Sequence, residues 1–337
     1  MKQTKHGGDI YSFAKETGCK SDKIIDFSSN INPLKPKIKL NLSNIKLSRY
    51  ADNRYSDLKE ILGRKYETMS ENIALYNGGS SAIFWLFETL GIKKCTLYAP
   101  LYGEYKRAAS KYSSKIKLIN RLSSPYQKPL KNSLAVFVNP STPDGKYYDL
   151  KRLLKIWKKQ NCTVVIDESF LEFADKPSAL KYLKKYKKLY ILKSLTKFYA
   201  CAGVRVGIVI SLEKNIKRLD ENMPCWNIST FDVEFIKKAL KDKRHKKLSL
   251  EKNRKNRKML KKILKKSKYI KKVYPSNANF LLTRLKNIDA SKLQERLKKQ
   301  KILIRSCENF DFLNDSFVRF AVKDKKDQKK LKKALFA

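Results

Sequence analysis

Apolar residues follow two rhythms along this chain. Short, nearly continuous aliphatic runs recur at 73–76, 95–99, 115–119, 134–138, 163–166, 189–192 and 204–210. Segments with helical spacing lie between them, clearest at 82–90 and 150–160. Runs apolar on both faces, alternating with helices, predict an α/β domain built on a largely parallel sheet covered on both sides. Upstream, a short helix near 10–17 and an extended piece at 24–28 precede Pro33 and Pro36, which break regularity. Past about residue 212 come two long lysine-rich helical segments. A compact α+β portion follows, with strands at 279–283, 302–305 and 317–322, a helix at 290–299 and a terminal helix. The pattern divides the chain into an N-terminal arm (1–45), a large domain (46–212), and linking helices with a small C-terminal domain (213–337).

Composition narrows the class. A chain of 337 residues can bury a large core and by length holds one large or two unequal domains, and 42% hydrophobic residues is ordinary for a soluble globular protein. No apolar run approaches the roughly 20 residues that span a bilayer. The first residues lead into no signal-type stretch, so no membrane association and a cytoplasmic setting are expected. The net charge of +46 invites a nucleic-acid partner. However, the lysines are spread from Lys2 to Lys333, often as pairs on helical stretches, which reads as solvated helix faces. No zinc-finger spacing or RNA-recognition signature accompanies them, so no specific nucleic-acid partner is expected. The six cysteines are scattered without a Cys-x-x-Cys pair, and His6 and His245 are the two histidines. A metal site is therefore not expected, and any chemistry would rely on an organic cofactor.

The candidate for that chemistry is Lys197, in Ser194-Leu195-Thr196-Lys197-Phe198-Tyr199-Ala200-Cys201-Ala202-Gly203-Val204-Arg205. It lies between two apolar runs, where its ammonium would be destabilised, the condition a Schiff-base lysine needs. Ser194 and Arg205 flank it with donors suited to a phosphate. Tyr76-Asn77-Gly78-Gly79-Ser80-Ser81 runs from a strand into a helix; it reads either as a phosphate loop using Ser80 and Ser81 or as a simple helix cap. Asp167 and Glu168 end the run at 163–166, where parallel sheets place ligand contacts.

Together these strings resemble the fold-type I pyridoxal-phosphate enzymes of the aspartate aminotransferase superfamily. The resemblance implies a large domain with a mostly parallel seven-stranded sheet, a smaller α+β domain and pyridoxal 5'-phosphate as cofactor. It implies Lys197 as the Schiff-base residue and Asp167 as the partner of the pyridine nitrogen. Ser80, Ser81, Ser194 and Arg205 would bind cofactor, and Tyr102, in Ala99-Pro100-Leu101-Tyr102, would stack on the ring. Asn139-Pro140-Ser141-Thr142-Pro143 resembles a turn whose asparagine bonds the cofactor's phenolic oxygen; here that position is Thr142, and a tyrosine that often shares the task is Phe170. Arg49-Tyr50-Ala51-Asp52-Asn53-Arg54-Tyr55 resembles the segment that lends a tyrosine to the neighbouring subunit. That implies a homodimer with Tyr55 crossing the interface.

Within the superfamily, His6-Gly7-Gly8-Asp9-Ile10-Tyr11 and Asp26-Phe27-Ser28-Ser29-Asn30 resemble the opening of the threonine-phosphate decarboxylase family, close cousins of histidinol-phosphate aminotransferases. Arg305 and Arg319 each sit in an otherwise apolar strand, where an unpaired guanidinium is costly. Structural salt bridges are one reading; the other is a substrate carrying both phosphate and carboxylate, with His6 and Asn30 as further donors. The expectation is decarboxylation of a small phosphorylated amino acid, O-phosphothreonine or O-phosphoserine, with a histidinol-phosphate-type aminotransferase as the alternative. A basic nucleic-acid-binding protein is the non-enzymatic rival.

Overall fold

The computed structural model describes residues 6–41, 43, 45, 46 and 48–337. In chain order the helices are α1 (Ile10–Thr17), α2 (Ser56–Tyr66), α3 (Gly78–Leu90), α4 (Gly103–Tyr112), α5 (Lys151–Lys159), α6 (Leu195–Phe198), α7 (Glu213–Asp220), α8 (Thr230–Lys241), α9 (Lys243–Lys266), α10 (Ala290–Lys298) and α11 (Lys325–Phe336). The strands are β1 (Ile25–Asp26), β2 (Ile73–Asn77), β3 (Lys94–Ala99), β4 (Lys115–Asn120), β5 (Leu134–Val138), β6 (Thr163–Asp167), β7 (Leu189–Ser194), β8 (Val206–Ile210), β9 (Ile270–Val273), β10 (Phe280–Leu285), β11 (Ile302–Leu303), β12 (Arg305–Ser306) and β13 (Phe317–Ala321).

Each of the seven apolar runs became a strand of one seven-stranded sheet, ordered β2-β8-β7-β6-β5-β3-β4. Pairings from β7 through β4 are parallel, and β8 alone runs against its two neighbours. Side chains alternate between two cores: Val164 and Ile166 of β6 join Trp157 of α5 on one face, while Val165 joins Ile83 and Leu86 of α3 on the other. A four-stranded antiparallel sheet, β12-β13-β10-β9, carries the third core with α9, α10 and α11. The run expected at 302–305 divides into β11 and β12, because β11 leaves that sheet to pair with the arm.

The arm is stitched to the smaller sheet. β1 pairs in parallel with β11 (Ile25 opposite Ile302), and the Phe27 ring meets Phe320 edge-on at 6.5 Å. Asp26 then accepts hydrogen bonds from Ser28 N, Ser28 Oγ and Ser29 N at 2.6–3.1 Å, turning the chain toward Asn30. No helix among the described residues is long and apolar enough to cross a membrane.

Candidate active site

The carboxyl ends of the parallel strands β5, β6 and β7 open onto a cleft of about 240 Å³, where an open α/β sheet receives its ligands. Asp167 ends β6 and faces it. Its neighbour Glu168 points elsewhere and is buried against Lys193 Nζ, Ser178 Oγ and Ala179 N, each at 2.6 Å. Ser194 ends β7, and α6 immediately follows with Lys197.

Lys197 donates to Ser194 Oγ at 3.4 Å, and its Nζ lies 5.3 Å from the Phe170 ring centroid. Burial holds its pKa below the ordinary lysine value; Asp167 opposes the shift, and Arg205 and Arg319 add to it. An amine so placed has a larger neutral, nucleophilic fraction than a surface lysine.

Across the cleft, Gly78 opens α3 at φ +79°, and a Cβ there would collide with the Arg205 guanidinium. Glycine is thus required on two counts, backbone conformation and the passage of Arg205. Arg205 lies just before β8 rather than inside the expected strand, with Nη1 donating to Ala202 O at 3.1 Å. Ser80 also lines the cleft and shares a 3.1 Å hydrogen bond with the Tyr102 hydroxyl. Ser81 does not: one residue further along α3 its side chain turns about 100° away and is exposed.

The smaller sheet contributes the cations. Arg305 and Arg319 stand directly opposite each other in the β12–β13 register, and both line the cleft. Arg319 donates to Ser28 O at 2.7 Å and Thr142 Oγ1 at 3.2 Å, while its Nε, like Asn30 Oδ1, is buried without a hydrogen-bond partner. Burial pulls the Arg319 pKa down to about 10, and Arg305 adds to the fall. Arg305 donates to Asn309 Oδ1 at 2.8 Å and lies over the Phe310 ring. From the arm, His6 lies 2.8 Å from Glu104 Oε1 and its ring centroid is 5.0 Å from that of Tyr102.

Tyr55 is buried within the single chain, where its hydroxyl accepts from Ile228 N at 3.0 Å. The exposed aromatic of that segment is Tyr50, stacked on Trp226 at 4.4 Å.

Three buried groups escaped the sequence reading. Glu104 receives His6 and Arg107, the latter at 2.7 Å. Tyr105 donates to Asp167 Oδ2 at 2.9 Å. Arg121, with no exposed surface, donates to Asp144, Pro100 O and Thr142 O at 2.7–2.9 Å, tying the Tyr102 loop to the Thr142 turn. No pattern in the sequence distinguished these side chains from packing residues.

The profile of the aminotransferase class I and II family matches residues 22–336. The chain belongs to that family. It is a pyridoxal-phosphate-dependent enzyme of the aminotransferase fold, of a family that acts on small substrates and is typically dimeric. The cleft fits that cofactor: it offers an amine whose pKa is lowered by burial, a carboxylate, a ring-sized aromatic at Tyr102, and hydroxyls and a guanidinium beside the glycine turn.

Aminotransferase-family relatives carry two kinds of name. A putative threonine-phosphate decarboxylase of Caldanaerobacter subterraneus subsp. tengcongensis is 30% identical, covering 99% of this chain and 94% of that protein. The adenosylcobalamin biosynthesis bifunctional protein CobDQ of Leptospira interrogans is 31% identical over 98% of this chain, which spans only 40% of that longer protein. The crystal structure of histidinol-phosphate aminotransferase from Clostridium acetobutylicum superposes with a TM-score of 0.83 at 33% identity, covering 93% of this chain and 98% of that one.

Proposed function

We propose that this enzyme decarboxylates an O-phospho-L-amino acid, converting threonine O-3-phosphate to 1-aminopropan-2-ol phosphate or serine O-phosphate to ethanolamine phosphate. The observation that carries the reading is the Arg305–Arg319 pair. Like charges directly opposite on neighbouring strands are destabilising, and both are largely withdrawn from water. A dianionic phosphate beside them offsets both costs and satisfies the buried Nε of Arg319.

Bound pyridoxal phosphate supplies an electron sink for the pair released when a bond to the substrate's Cα breaks. The chain's residues then decide which bond that is. Ser80, Ser194, Thr196 and Arg205 would hold the cofactor's phosphate, Tyr102 would cover its ring, and Asp167 would partner the ring nitrogen. Arg305 and Arg319, with His6 and Asn30, seat the substrate phosphate. A substrate anchored there by its side chain would leave its carboxylate unclaimed by the arginines, so that loss of carbon dioxide would be favoured over loss of the α-proton. Lys197 would supply the proton that takes the place of carbon dioxide at Cα, the α-hydrogen itself staying on carbon. Phe170, lacking a hydroxyl, leaves Thr142 as the side-chain oxygen of that turn within the cleft. In the dimer this reading includes, Tyr55 would be the residue lent to the neighbouring subunit.

Supported by the 33%-identical histidinol-phosphate aminotransferase structure, the second reading is amino-group transfer. Incubating the holoenzyme with O-phosphothreonine or O-phosphoserine and identifying products by mass spectrometry separates the two. Carbon dioxide with an intact phosphorylated amine is expected. Transfer of the amine that requires a 2-oxo acid would overturn decarboxylation.

A further inference from the structure

Asp167 is gripped by two donors. Ser169 N donates to Oδ1 at 2.8 Å, and the Tyr105 hydroxyl donates to Oδ2 at 2.9 Å. Tyr105 is fully buried, on the first turn of α4, three residues after Tyr102, the extended residue from which that helix starts. Its ring belongs to the apolar core between α3 and the sheet, which leaves the hydroxyl a single direction in which to bond. Burial, reinforced by Asp167, raises the phenol's pKa far above its ordinary value, so it stays a donor. Each carboxylate oxygen has two lone pairs, so both donors leave room for a third partner.

We propose that Tyr105 is a positioning residue for the cofactor, acting through Asp167. By donating to Oδ2 it fixes the plane of the carboxylate and weakens that oxygen's claim on a proton. The proton shared with the pyridine nitrogen then rests on the nitrogen, where the ring withdraws electrons best. One short helical turn would thus set both the stacking aromatic and the acid that tunes the ring. This inference rests on Asp167 facing the ring nitrogen, and it holds for decarboxylation and amine transfer alike.

The test uses holoenzyme reconstituted with pyridoxal phosphate labelled with ¹⁵N in the ring. In Tyr105→Phe the ring-nitrogen chemical shift should move toward its unprotonated value. Cofactor affinity should fall about tenfold, the scale of a lost bond to a buried acceptor. Asp167→Asn is the reference, and it should displace the signal fully. An unmoved signal in Tyr105→Phe beside a displaced one in Asp167→Asn overturns the role of Tyr105 alone. No displacement in Asp167→Asn overturns the assignment of Asp167, and the proposal with it. Site-specific 3-fluorotyrosine at 105, a more acidic donor that keeps the ring, covers the case in which Tyr105→Phe does not fold. It should hold the signal at the protonated value, and a shift toward the unprotonated one would count against the proposal.

Discussion

Arg305 and Arg319 show how a single residue type can be read in two ways until its partner is known. Each lies in an apolar strand, and a structural salt bridge was the simplest account from sequence. In the fold they oppose one another, and Arg319 donates to two neutral oxygens, Ser28 O and Thr142 Oγ1. Such a pair is stabilised by an added anion. Inorganic phosphate is therefore expected to raise the melting temperature of the protein, because it binds the folded state alone. Removing one guanidinium, as in Arg319→Gln, should erase most of that rise. It should also raise KM for the phosphorylated substrate by roughly 10- to 100-fold, the range of one charge-assisted hydrogen bond, with a smaller change in kcat. A variant whose KM stays unchanged while kcat collapses would place Arg319 at the reacting bond rather than at the phosphate.

Among the elements, the β2–α3 turn is the most exacting. Gly78 holds φ at +79° with the Arg205 guanidinium packed where a side chain would begin. Gly78→Ala should cost roughly 1–2 kcal/mol in backbone strain. It should also push Arg205 aside and weaken cofactor binding by tenfold or more, measured by titrating the apoenzyme with pyridoxal phosphate. Gly79, which has ordinary van der Waals space around it, should tolerate alanine far better. The strands around this turn were legible in the sequence because burial on both faces writes uninterrupted apolar runs, as in β5 and β6. β9 left no such trace: Lys271 and Lys272 are exposed at a sheet edge, so only Ile270 and Val273 mark it. The cleft residues Lys197, Asp167, Ser80 and Tyr102 were legible because each stands where one element ends or the next begins, inside a distinctive short string. Groups that act from inside helices or cores, Glu104, Tyr105 and Arg121, look like amphipathic or stray polar residues until tertiary contacts bring them to the cleft. In the segment 49–55 two tyrosines lie close together, and only the fold reveals that Tyr50 faces outward while Tyr55 is buried within the single chain.

On the scale of the whole molecule, the surplus of 77 basic over 31 acidic residues is far larger than the cleft's few arginines require. Most of it sits on exposed helix faces such as α5, α9 and α11, where it adds little to the fold. Its physical consequence is a positive potential around the whole chain, which attracts anions from a distance and raises their rate of encounter. A phosphorylated amino acid is such an anion. Screening lengths fall from about 30 Å at 0.01 M salt to about 8 Å at 0.15 M, so the distant lysines act on an approaching substrate only at low salt. Arg305 and Arg319 are buried and are screened much less. The field should therefore appear in kcat/KM and not in kcat. Raising potassium chloride over that range is expected to lower kcat/KM for O-phosphothreonine several-fold, while kcat stays within a factor of two. Chloride competing at the arginine pair would also raise KM, but it would do so in proportion to chloride concentration. Repeating the titration with a larger, weakly binding anion at equal ionic strength tells the two apart. An enzyme whose kcat/KM is flat in both series draws no benefit from its charge during encounter, and the lysines would then need another explanation.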